Sequence, residues 1–287
     1  MKFKKEVEKF NNFKSKINKS VIIIGCGRWG KVILKEIFLN FKNIKKIYVY
    51  TKYINQLKKF GVSNKIDKIE ILKDLRRLKS LNVNHAIIVK KNKFHYKFAK
   101  RLISQNLNIL VEKPFTETIE QARSLKKISS KKKLVVNVSL PFLYAHYFYF
   151  IKENIIKNNI IKSLNFDWFD KPNEFRHNDI KRFDNKINYL EDIFYHIFSI
   201  SSIFLGKGNF IFTKKVLKHE NFQTMKSLLN KKLVTVNCSR NWSRRVRKLE
   251  INLVNKKKIS INFSKNVIIK SMGKKIASFS EIKNKTL

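Results

Sequence analysis

Hydrophobic residues in the first half of the chain follow two alternating patterns, short continuous runs and runs with helical spacing. The apolar run at residues 21–24 is typical of a strand buried on both faces of a parallel sheet. Further strands are predicted at 46–51, 69–72, 84–89, 108–111 and 133–138. Helical spacing begins at Val32 and at Asp74, covers 93–105 and runs from Thr116 towards Ser129. Because strands and helices alternate, residues 20–138 are predicted to form an α/β domain on a doubly wound parallel sheet.

This alternation stops at about residue 140. Helical spacing is found at 144–156 and 189–205, and extended runs are predicted at 161–170, 209–213, 233–237, 246–254 and 258–263. Residues 139–287 are therefore predicted to form an α+β domain with a largely antiparallel sheet. One face of such a sheet would stay open, so we expect the same sheet of another subunit to cover it in a homodimer or homotetramer.

Residues 1–19 carry apolar residues at three- and four-residue steps among lysines. This pattern predicts a basic amphipathic helix. Such a helix binds a membrane surface or a partner or, as we favour, is an N-terminal extension that lies on the first domain or is partly frayed. The N-terminal sequence lacks the apolar core of a signal peptide, and no apolar run approaches the length of a membrane span. The two cysteines, Cys26 and Cys238, provide no disulfide framework. We therefore expect a cytoplasmic protein.

The formal net charge of +44, from 64 basic and 20 acidic residues, raises the question of nucleic-acid binding. Most of the basic residues are lysines spread along the whole chain, and Ile, Asn and Phe are also abundant. An AT-rich coding sequence imposes this joint enrichment. No arginine-rich arm, zinc-finger spacing or RNA-binding aromatic motif accompanies the charge, so we expect no specific nucleic-acid partner.

Gly25, Gly27 and Gly30 form a G-x-G-x-x-G motif between the first predicted strand and the first predicted helix. The first glycine permits a tight turn, the second lets the backbone approach a pyrophosphate, and the third lets helix and strand pack closely. The phosphates would lie at the helix N-terminus, where unpaired N–H groups and the helix dipole favour negative charge. The motif in this context predicts a dinucleotide-binding Rossmann domain.

The end of the second predicted strand bears on the choice of dinucleotide. An acidic residue there would hold the ribose 2′-hydroxyl of NAD(H), but Thr51 and Lys52 occupy these positions. A hydroxyl and an ammonium group suit a 2′-phosphate better. NADP(H) is therefore favoured over NAD(H), although Lys52 is also one of many lysines and the choice stays open.

Four segments, in the same order, resemble the glucose–fructose oxidoreductase, inositol dehydrogenase and rhizopine-catabolism (Gfo/Idh/MocA) family. They are G-C-G-R-W-G at 25–30, A-I-I-V-K-K-N-K-F-H at 86–95, L-V-E-K-P-F at 110–115 and D-I-F-Y-H at 192–196. The resemblance covers residues 20–263. It implies an NAD(P)-dependent oxidoreductase that transfers hydride to or from a sugar, sugar nucleotide or cyclitol. The tryptophan in the glycine loop is similar to that of members associated with surface-polysaccharide metabolism.

The resemblance also implies which residues carry the chemistry. Lys113 follows a predicted parallel strand and would hydrogen-bond the reacting oxygen near the nicotinamide. His196 would be the general base for the substrate hydroxyl, with Asp192 beside it in the substrate pocket. The i, i+4 spacing of these two residues places them on one helix face. Arg176 and Arg182, in the preceding loop, are candidates for binding an acidic substrate group such as a nucleotide-sugar phosphate.

Cofactor contacts are expected from the glycine loop, the ends of the second and fourth strands, and the Glu-Lys-Pro segment. The residues are Gly25, Gly27, Arg28, Trp29, Gly30, Thr51, Lys52, Val89, His95, Glu112, Lys113 and Pro114. Two roles stay open: Trp29 either stacks near the pyrophosphate or packs under the loop, and His95 either faces the nicotinamide ribose or is a capped histidine at a helix start. The remaining histidines have no metal-ligand spacing with cysteines or carboxylates, so no metal is predicted. These histidines are His85, His146, His177 and His219.

The chain departs from the family pattern near the substrate side. Phe194 stands where the Asp-x-x-x-His helix usually has a glycine, and Lys90 and Lys91 replace a Thr-Pro type of turn. The run after Val138 lacks an arginine that many members use for substrate. These departures leave the substrate open and support a second hypothesis, a dinucleotide-binding sensor or scaffold that has lost catalysis. A third and weaker hypothesis is nucleic-acid binding driven by charge.

Overall fold

The computed structural model describes residues 20–176, 179–180, 187–219, 222–264 and 266–279. The amphipathic extension predicted for residues 1–19 lies outside these ranges. The chain divides between Ser139 and Leu140 into two compact units. This division lies next to the limit predicted from the sequence, between residues 138 and 139.

The first unit contains a sheet of six parallel strands in the order β3-β2-β1-β4-β5-β6. The strands are β1 (Ser20–Ile24), β2 (Ile47–Tyr50), β3 (Ile69–Ile71), β4 (Val83–Ile88), β5 (Asn108–Glu112) and β6 (Val136–Ser139). The predicted doubly wound parallel sheet is confirmed. The strand order reverses between β1 and β4, and sheets of this kind bind ligands in the crevice at the carboxyl ends of such strands.

Helices cover both faces of this sheet. They are α1 (Arg28–Asn40), α2 (Ile54–Ser63), α3 (His95–Ser104) and α4 (Ile119–Lys131), with 3-10 turns at Leu75–Ser80 and Asn92–Phe94. Leu34 of α1 and Leu57 of α2 pack with Ile23, whereas Leu102 of α3 and Leu125 of α4 belong to the cluster on the other side. Successive residues of β1 enter opposite clusters, as expected for a strand buried on both faces. Helix α2 was not predicted from the sequence.

The second unit is built on a sheet of eight strands in the order β10-β11-β12-β7-β13-β14-β15-β16. All neighbours are antiparallel except β7 and β12, so the predicted α+β arrangement is confirmed. The strands are β7 (Ile161–Phe169), β10 (Phe210–His219), β11 (Phe222–Leu229), β12 (Lys232–Ser239), β13 (Val246–Leu253), β14 (Lys258–Asn262), β15 (Val267–Ser271) and β16 (Lys274–Phe279). A two-stranded ribbon consists of β8 (Phe175–Arg176) and β9 (Asp179–Ile180).

The helical part of this unit packs on one face of the large sheet. It comprises a 3-10 turn (Pro141–Tyr144), α5 (His146–Phe150), a π-helical turn (Ile151–Ile156) and α6 (Tyr189–Leu205). Asn188 caps α6 by accepting a hydrogen bond from the Leu190 amide at 2.9 Å, and Gly206 ends the helix with a φ of +85°. The buried face of α6, including Ile197 and Ile200, contacts the core of the sheet. The apolar helix predicted at 189–205 is therefore confirmed.

The opposite face of the large sheet is polar along its central strands. Asn237 Nδ2 donates to Asp167 Oδ1 at 3.0 Å, and Asn252 Nδ2 donates to Ser163 Oγ at 2.9 Å. These residues alternate with buried apolar ones, so the strands present an apolar face to the helices and a hydrogen-bonded polar face on the other side. The sheet therefore has no open apolar face along its central strands that a second subunit would need to cover. The homo-oligomer expected from the sequence stays a prediction.

Among the described residues, no helix combines the length and the apolar character needed to cross a bilayer. Both cysteines are buried as free thiols, and burial raises the pKa of Cys26 to about 11 and that of Cys238 to about 12. Cys26 therefore acts as a small packing residue inside the glycine loop. The cytoplasmic location stays a prediction.

Candidate cofactor and substrate sites

The glycine loop between β1 and α1 is closely packed at its first and last glycines. Gly25 has a φ of +101°, and a Cβ there would lie 2.4 Å from the carbonyl oxygen of Val89. A Cβ on Gly30 would lie 2.8 Å from the carbonyl oxygen of Gly25. Both positions therefore exclude a side chain, Gly25 through its conformation and contacts and Gly30 because helix and strand approach closely.

Gly27 has a different environment, because it is exposed on the open side of the loop. A Cβ there would meet no described atom within 4 Å beyond its chain neighbours. Gly27 is the N-cap of α1 and, having no side chain, makes no side-chain cap bond to this helix. The first turn carries Arg28 and Lys31 and no acidic residue. The positive end of the helix dipole and the absence of a side chain at Gly27 fit the pyrophosphate of a dinucleotide.

Two lysines approach each other at the ends of β2 and β4. Lys90 follows β4, and its stem crosses the end of β1, since a Cβ on Gly25 would lie 2.9 Å from Lys90 Cγ. The Lys90 ammonium nitrogen lies 5.6 Å from the ring centre of Tyr50, on β2, and 5.0 Å from that of Phe98. Burial lowers the pKa of Lys90, and the nearby charge of Lys52 lowers it further. Positive charge is therefore concentrated at this edge of the sheet.

Thr51 and Lys52 form the turn that follows β2. Thr51 Oγ1 accepts a hydrogen bond from the Tyr53 amide at 3.1 Å, and Lys52 Nζ lies 5.1 Å from the Tyr53 ring centre. Residues 47–66 include no Asp or Glu. Thr51 and Lys52 were predicted from the sequence as cofactor contacts, whereas Lys90 was noted only as a departure from the family turn. The signal that was available is its place directly after a strand that flanks the glycine loop.

The Glu-Lys-Pro segment at the end of β5 is linked to the glycine loop by a side-chain hydrogen bond. Trp29 Nε1 donates to Glu112 Oε1 at 2.8 Å. The Trp29 side chain is 36% exposed, so its ring is not enclosed beneath the loop. Lys113 is half-buried, and its peptide bond to Pro114 is cis. Glu112 thus has a defined partner, while contact of Trp29 with the pyrophosphate stays a prediction.

His95 connects the two loops that follow β4 and β5. His95 is the first residue of α3 and is 1% exposed. Nδ1 lies 2.7 Å from the carbonyl oxygen of Pro114, and Nε2 lies 2.9 Å from the carbonyl oxygen of Lys90. Carbonyl oxygens only accept, so a doubly protonated ring donates to both and a neutral ring to one. This geometry favours the satisfied helix-start histidine over the alternative in which the ring faces the ribose.

Asp192 and His196 lie one turn apart on α6, and both are half-buried. Asp192 Oδ2 lies 3.7 Å from Arg240 Nη2, and the Arg240 guanidinium lies 5.1 Å from the ring centre of Tyr189. Arg240 follows β12 and was not singled out from the sequence, because it belongs to a run with several other basic residues. The structure thus places a cation beside the predicted substrate-binding aspartate.

The His196 imidazole lies among aromatic rings. It stacks on Trp168 with 5.5 Å between ring centres and 14° between planes. Phe142 contacts it edge-on at 5.1 Å and 83°. The sequence analysis identified His196 but neither of its aromatic neighbours.

The remaining predicted groups are described only in part. The backbone of Arg176 pairs with that of Asp179 in the β8–β9 ribbon, whereas Arg182 and His177 lie outside the described residues. Within the part of the chain that the structure describes, no group of three His, Cys, Asp or Glu side chains could hold a metal ion. The roles assigned to both arginines stay predictions.

Comparisons with known proteins agree with this arrangement. Residues 19–140 match the profile of an oxidoreductase family with an NAD-binding Rossmann fold, Gfo/Idh/MocA. A search of curated protein sequences found no match. Among solved structures, the dehydrogenase MviM from Clostridium difficile is similar, with 17% identity, a TM-score of 0.72 and coverage of 93% of this chain and 84% of that one.

Two further similar structures are sugar-nucleotide or ketoreductase enzymes by their descriptions. UDP-N-acetylglucosamine 3-dehydrogenase GnnA from Acidithiobacillus ferrooxidans is 15% identical, with a TM-score of 0.68 and coverage of 92% of this chain and 84% of that one. KijD10, a 3-ketoreductase from Actinomadura kijaniata in complex with NADP and TDP-benzene, is 15% identical, with a TM-score of 0.70 and coverage of 91% and 84%. At these identities the likeness shows a shared fold. The profile match, the strand order and the glycine loop together show that residues 19–140 resemble the NAD-binding Rossmann domain of Gfo/Idh/MocA oxidoreductases.

Proposed function

We propose that this protein transfers hydride between a nicotinamide cofactor, preferably NADP(H), and a CH–OH or carbonyl group of a sugar nucleotide. The observation that carries the proposal is the glycine loop. Gly25 and Gly30 are closed by backbone contacts, whereas a Cβ on Gly27, the N-cap of α1, would meet no described atom within 4 Å beyond its chain neighbours, which leaves room for an anion at the helix start. The match of residues 19–140 to an oxidoreductase family with an NAD-binding Rossmann fold supports the same assignment.

The residues of the first unit have distinct roles in this proposal. The loop amides bind the pyrophosphate, and Glu112 fixes the exposed Trp29 ring through the 2.8 Å hydrogen bond. Lys113, at the carboxyl end of β5, donates a hydrogen bond to the reacting oxygen. The nicotinamide supplies or accepts the hydride when it is bound.

In the second unit, His196 accepts the hydroxyl proton when an alcohol is oxidised and returns it when a carbonyl is reduced. Asp192 binds the substrate or orients the imidazole, and its Oδ2 lies 3.7 Å from Arg240 Nη2. Transfer of a hydride from carbon and a proton from oxygen balances the oxidation of an alcohol to a carbonyl.

Lys52, Thr51 and Lys90 support the preference for NADP(H). Lys52 and Lys90 are close enough for the charge of one to lower the pKa of the other, and a bound 2′-phosphate would relieve this repulsion. The acidic residue that would repel such a phosphate is absent from 47–66. NAD(H) is the alternative cofactor.

A nucleotide-sugar substrate is supported by the two similar enzymes described above and by Arg240, which lies beside Asp192 of α6. GnnA is described as acting on UDP-N-acetylglucosamine, and KijD10 binds TDP-benzene. We propose Arg240, which the structure describes, as a residue that binds the diphosphate of the substrate. Arg176 and Arg182 are proposed for the same role on the basis of the sequence.

The proposal is tested by titrating the intrinsic fluorescence of NADPH and NADH with the protein, then by incubating the complex with a panel of UDP- and TDP-sugars. We expect micromolar to millimolar binding, tighter for NADPH, and absorbance change at the nicotinamide band with at least one sugar nucleotide. Lys113→Ala should bind cofactor and lose turnover. Lack of binding of both cofactors would remove the basis of the proposal.

Phe194 favours a second candidate function, a dinucleotide-binding sensor or scaffold. Its ring packs on Phe210 at 5.2 Å and on Phe212 at 5.8 Å, where the family usually has a glycine next to the substrate residues. In this case NADPH would bind without hydride transfer to any member of the panel, and Lys113→Ala would change neither binding nor oligomeric state.

A further inference from the structure

The surroundings of His196 include a buried charged pair that the proposed chemistry does not use. Trp168 on β7 and Arg247 on β13 are directly opposed in the antiparallel register. Each is 3% exposed. The Arg247 guanidinium carbon lies 4.3 Å from the centre of the Trp168 ring system, a close cation–π contact. The cation and the imidazole of His196 thus share one indole ring as a neighbour.

Arg247 is held in place by several acceptors. One guanidinium nitrogen, Nη2, donates to Asp170 Oδ1, and the other, Nη1, donates to the carbonyl oxygens of Phe169 at 2.6 Å and Val246 at 2.7 Å. Asp170 is 1% exposed, and its own amide donates to the Ser239 carbonyl oxygen at 2.8 Å. Buried ion pairs contribute little net stability compared with apolar replacements, but they fix geometry when fully hydrogen-bonded. The guanidinium is therefore a rigid support for the indole.

The indole in turn restricts the imidazole. The two rings are within 14° of parallel, and Phe142 contacts the imidazole edge-on. Rotation of the His196 ring about its Cβ–Cγ bond would end the stacking and bring it against Phe142. A general base must keep its nitrogen within hydrogen-bond reach of the proton it accepts.

We propose that Trp168 is a positioning residue for His196, and that the buried Arg247–Asp170 pair anchors Trp168 for this task. An effect of Trp168 on the reaction rate rests on the proposed function of His196. Its effect on the orientation of the imidazole depends only on the stacked rings. The elements involved are β7, β13 and α6, so the orientation of the imidazole depends on residues far from it in sequence.

Nuclear magnetic resonance of the histidine rings tests the positioning without a substrate. The chain has six histidines, and His196→Gln assigns the signal of His196. Stacking on an indole shifts ring protons upfield, so we expect the His196 Hε1 or Hδ2 signal upfield of those of the other histidines. Trp168→Leu should remove this shift and Trp168→Phe should retain part of it, with the other histidine signals unmoved as the control for folding.

The anchor is tested with Arg247→Met combined with Asp170→Asn, because removing Arg247 alone would leave a buried carboxylate uncompensated. We expect this double variant to stay folded and to broaden or move the His196 signal. An unshifted His196 signal in the wild-type protein, or one that is the same in Trp168→Leu, would overturn the proposal.

Where a substrate is found, kcat should fall about 10- to 100-fold in Trp168→Leu, the size expected for a misplaced catalytic group. The KM for NADPH should stay the same, and Trp168→Phe should recover most of the rate. If the His196 signal is shifted but the protein shows no turnover, the positioning of His196 by Trp168 is supported and the proposed function is rejected. An unchanged kcat in Trp168→Leu would reject the catalytic role of the stack.

Discussion

Replacing Gly27 with alanine is the most direct test of the dinucleotide site, because the structure separates the effect on binding from the effect on folding. Gly27 has φ −73° and ψ −167°, an extended conformation that alanine adopts without strain. The added methyl group would meet no described atom within 4 Å beyond the chain neighbours. The fold should therefore tolerate the change.

The substitution should have two small and opposing effects on stability and a stronger effect on cofactor binding. Gly-to-Ala replacement at a compatible backbone stabilises by about 0.4–1 kcal/mol through the unfolded chain, and poorer N-capping by alanine offsets this by a similar amount. In the complex, the methyl group would occupy the approach of the pyrophosphate to the α1 amides. Losing one charge-assisted hydrogen bond costs about 1.5–3 kcal/mol, which weakens binding about 10- to 100-fold.

The assay is a fluorescence titration with NADPH, together with thermal unfolding of each variant. Gly30→Ala is the matched control, because its Cβ would lie 2.8 Å from the Gly25 carbonyl oxygen and should lower the melting temperature as well as binding. The reasoning is refuted if Gly27→Ala binds NADPH with the wild-type Kd. It is also refuted if Gly27→Ala is as unstable as Gly30→Ala, since the space in front of the helix would then not be open.

Three further predictions concern groups around this site. Lys90→Ala and Lys52→Ala should each reduce the preference for 2′,5′-ADP over 5′-AMP, measured by calorimetry. In the wild-type protein this preference should decrease as the pH rises, and it should do so at a lower pH than a lysine of ordinary pKa would give, because the lowered pKa of Lys90 means that its charge is lost sooner. Cys26 and Cys238 should resist thiol reagents at pH 8 in the folded protein and react only on unfolding, as followed by mass spectrometry, because burial keeps both thiols protonated; rapid labelling of the native protein would contradict their burial. His95→Gln should destabilise the first unit by about 1–3 kcal/mol in denaturant unfolding, because at least one of two buried carbonyl contacts is lost, and an unchanged midpoint would show that the bridge has no structural role.

The parallel sheet could be predicted because its strands are buried on both faces and form continuous apolar runs. Helix α2 was missed, because only Leu57 and Gly61 in Ile54–Ser63 are fully buried and the glycine at 61 adds no apolar side chain to the helix face. In the second unit, β15 and β16 belong to a lysine-containing segment in which the alternation of a sheet edge is weak. Prediction therefore worked where burial is continuous and failed where an element has few buried positions.

The candidate site shows the same limit at the level of single residues. Gly25, Lys113 and His196 belong to motifs with fixed spacing, so the sequence was enough to name them. Lys90 was treated as a departure because its approach to Tyr50 depends on the order of β2, β1 and β4. The spacing of a motif is enough to predict a site residue, but the residues that contact it depend on the strand order.

The burial of Arg247 could have been predicted from the sequence, but its contact with Trp168 could not. It shares the inward register of β13 with Leu249 and Ile251, and a basic residue at such a position calls for a buried partner. That signal was present in the sequence but was hidden among neighbouring surface cations. Its partner Trp168 lies on β7 and meets it only through the antiparallel register. The stack that we propose to orient His196 is thus a tertiary property, so variants of Trp168 and Arg247 should act on the imidazole although no local motif connects them.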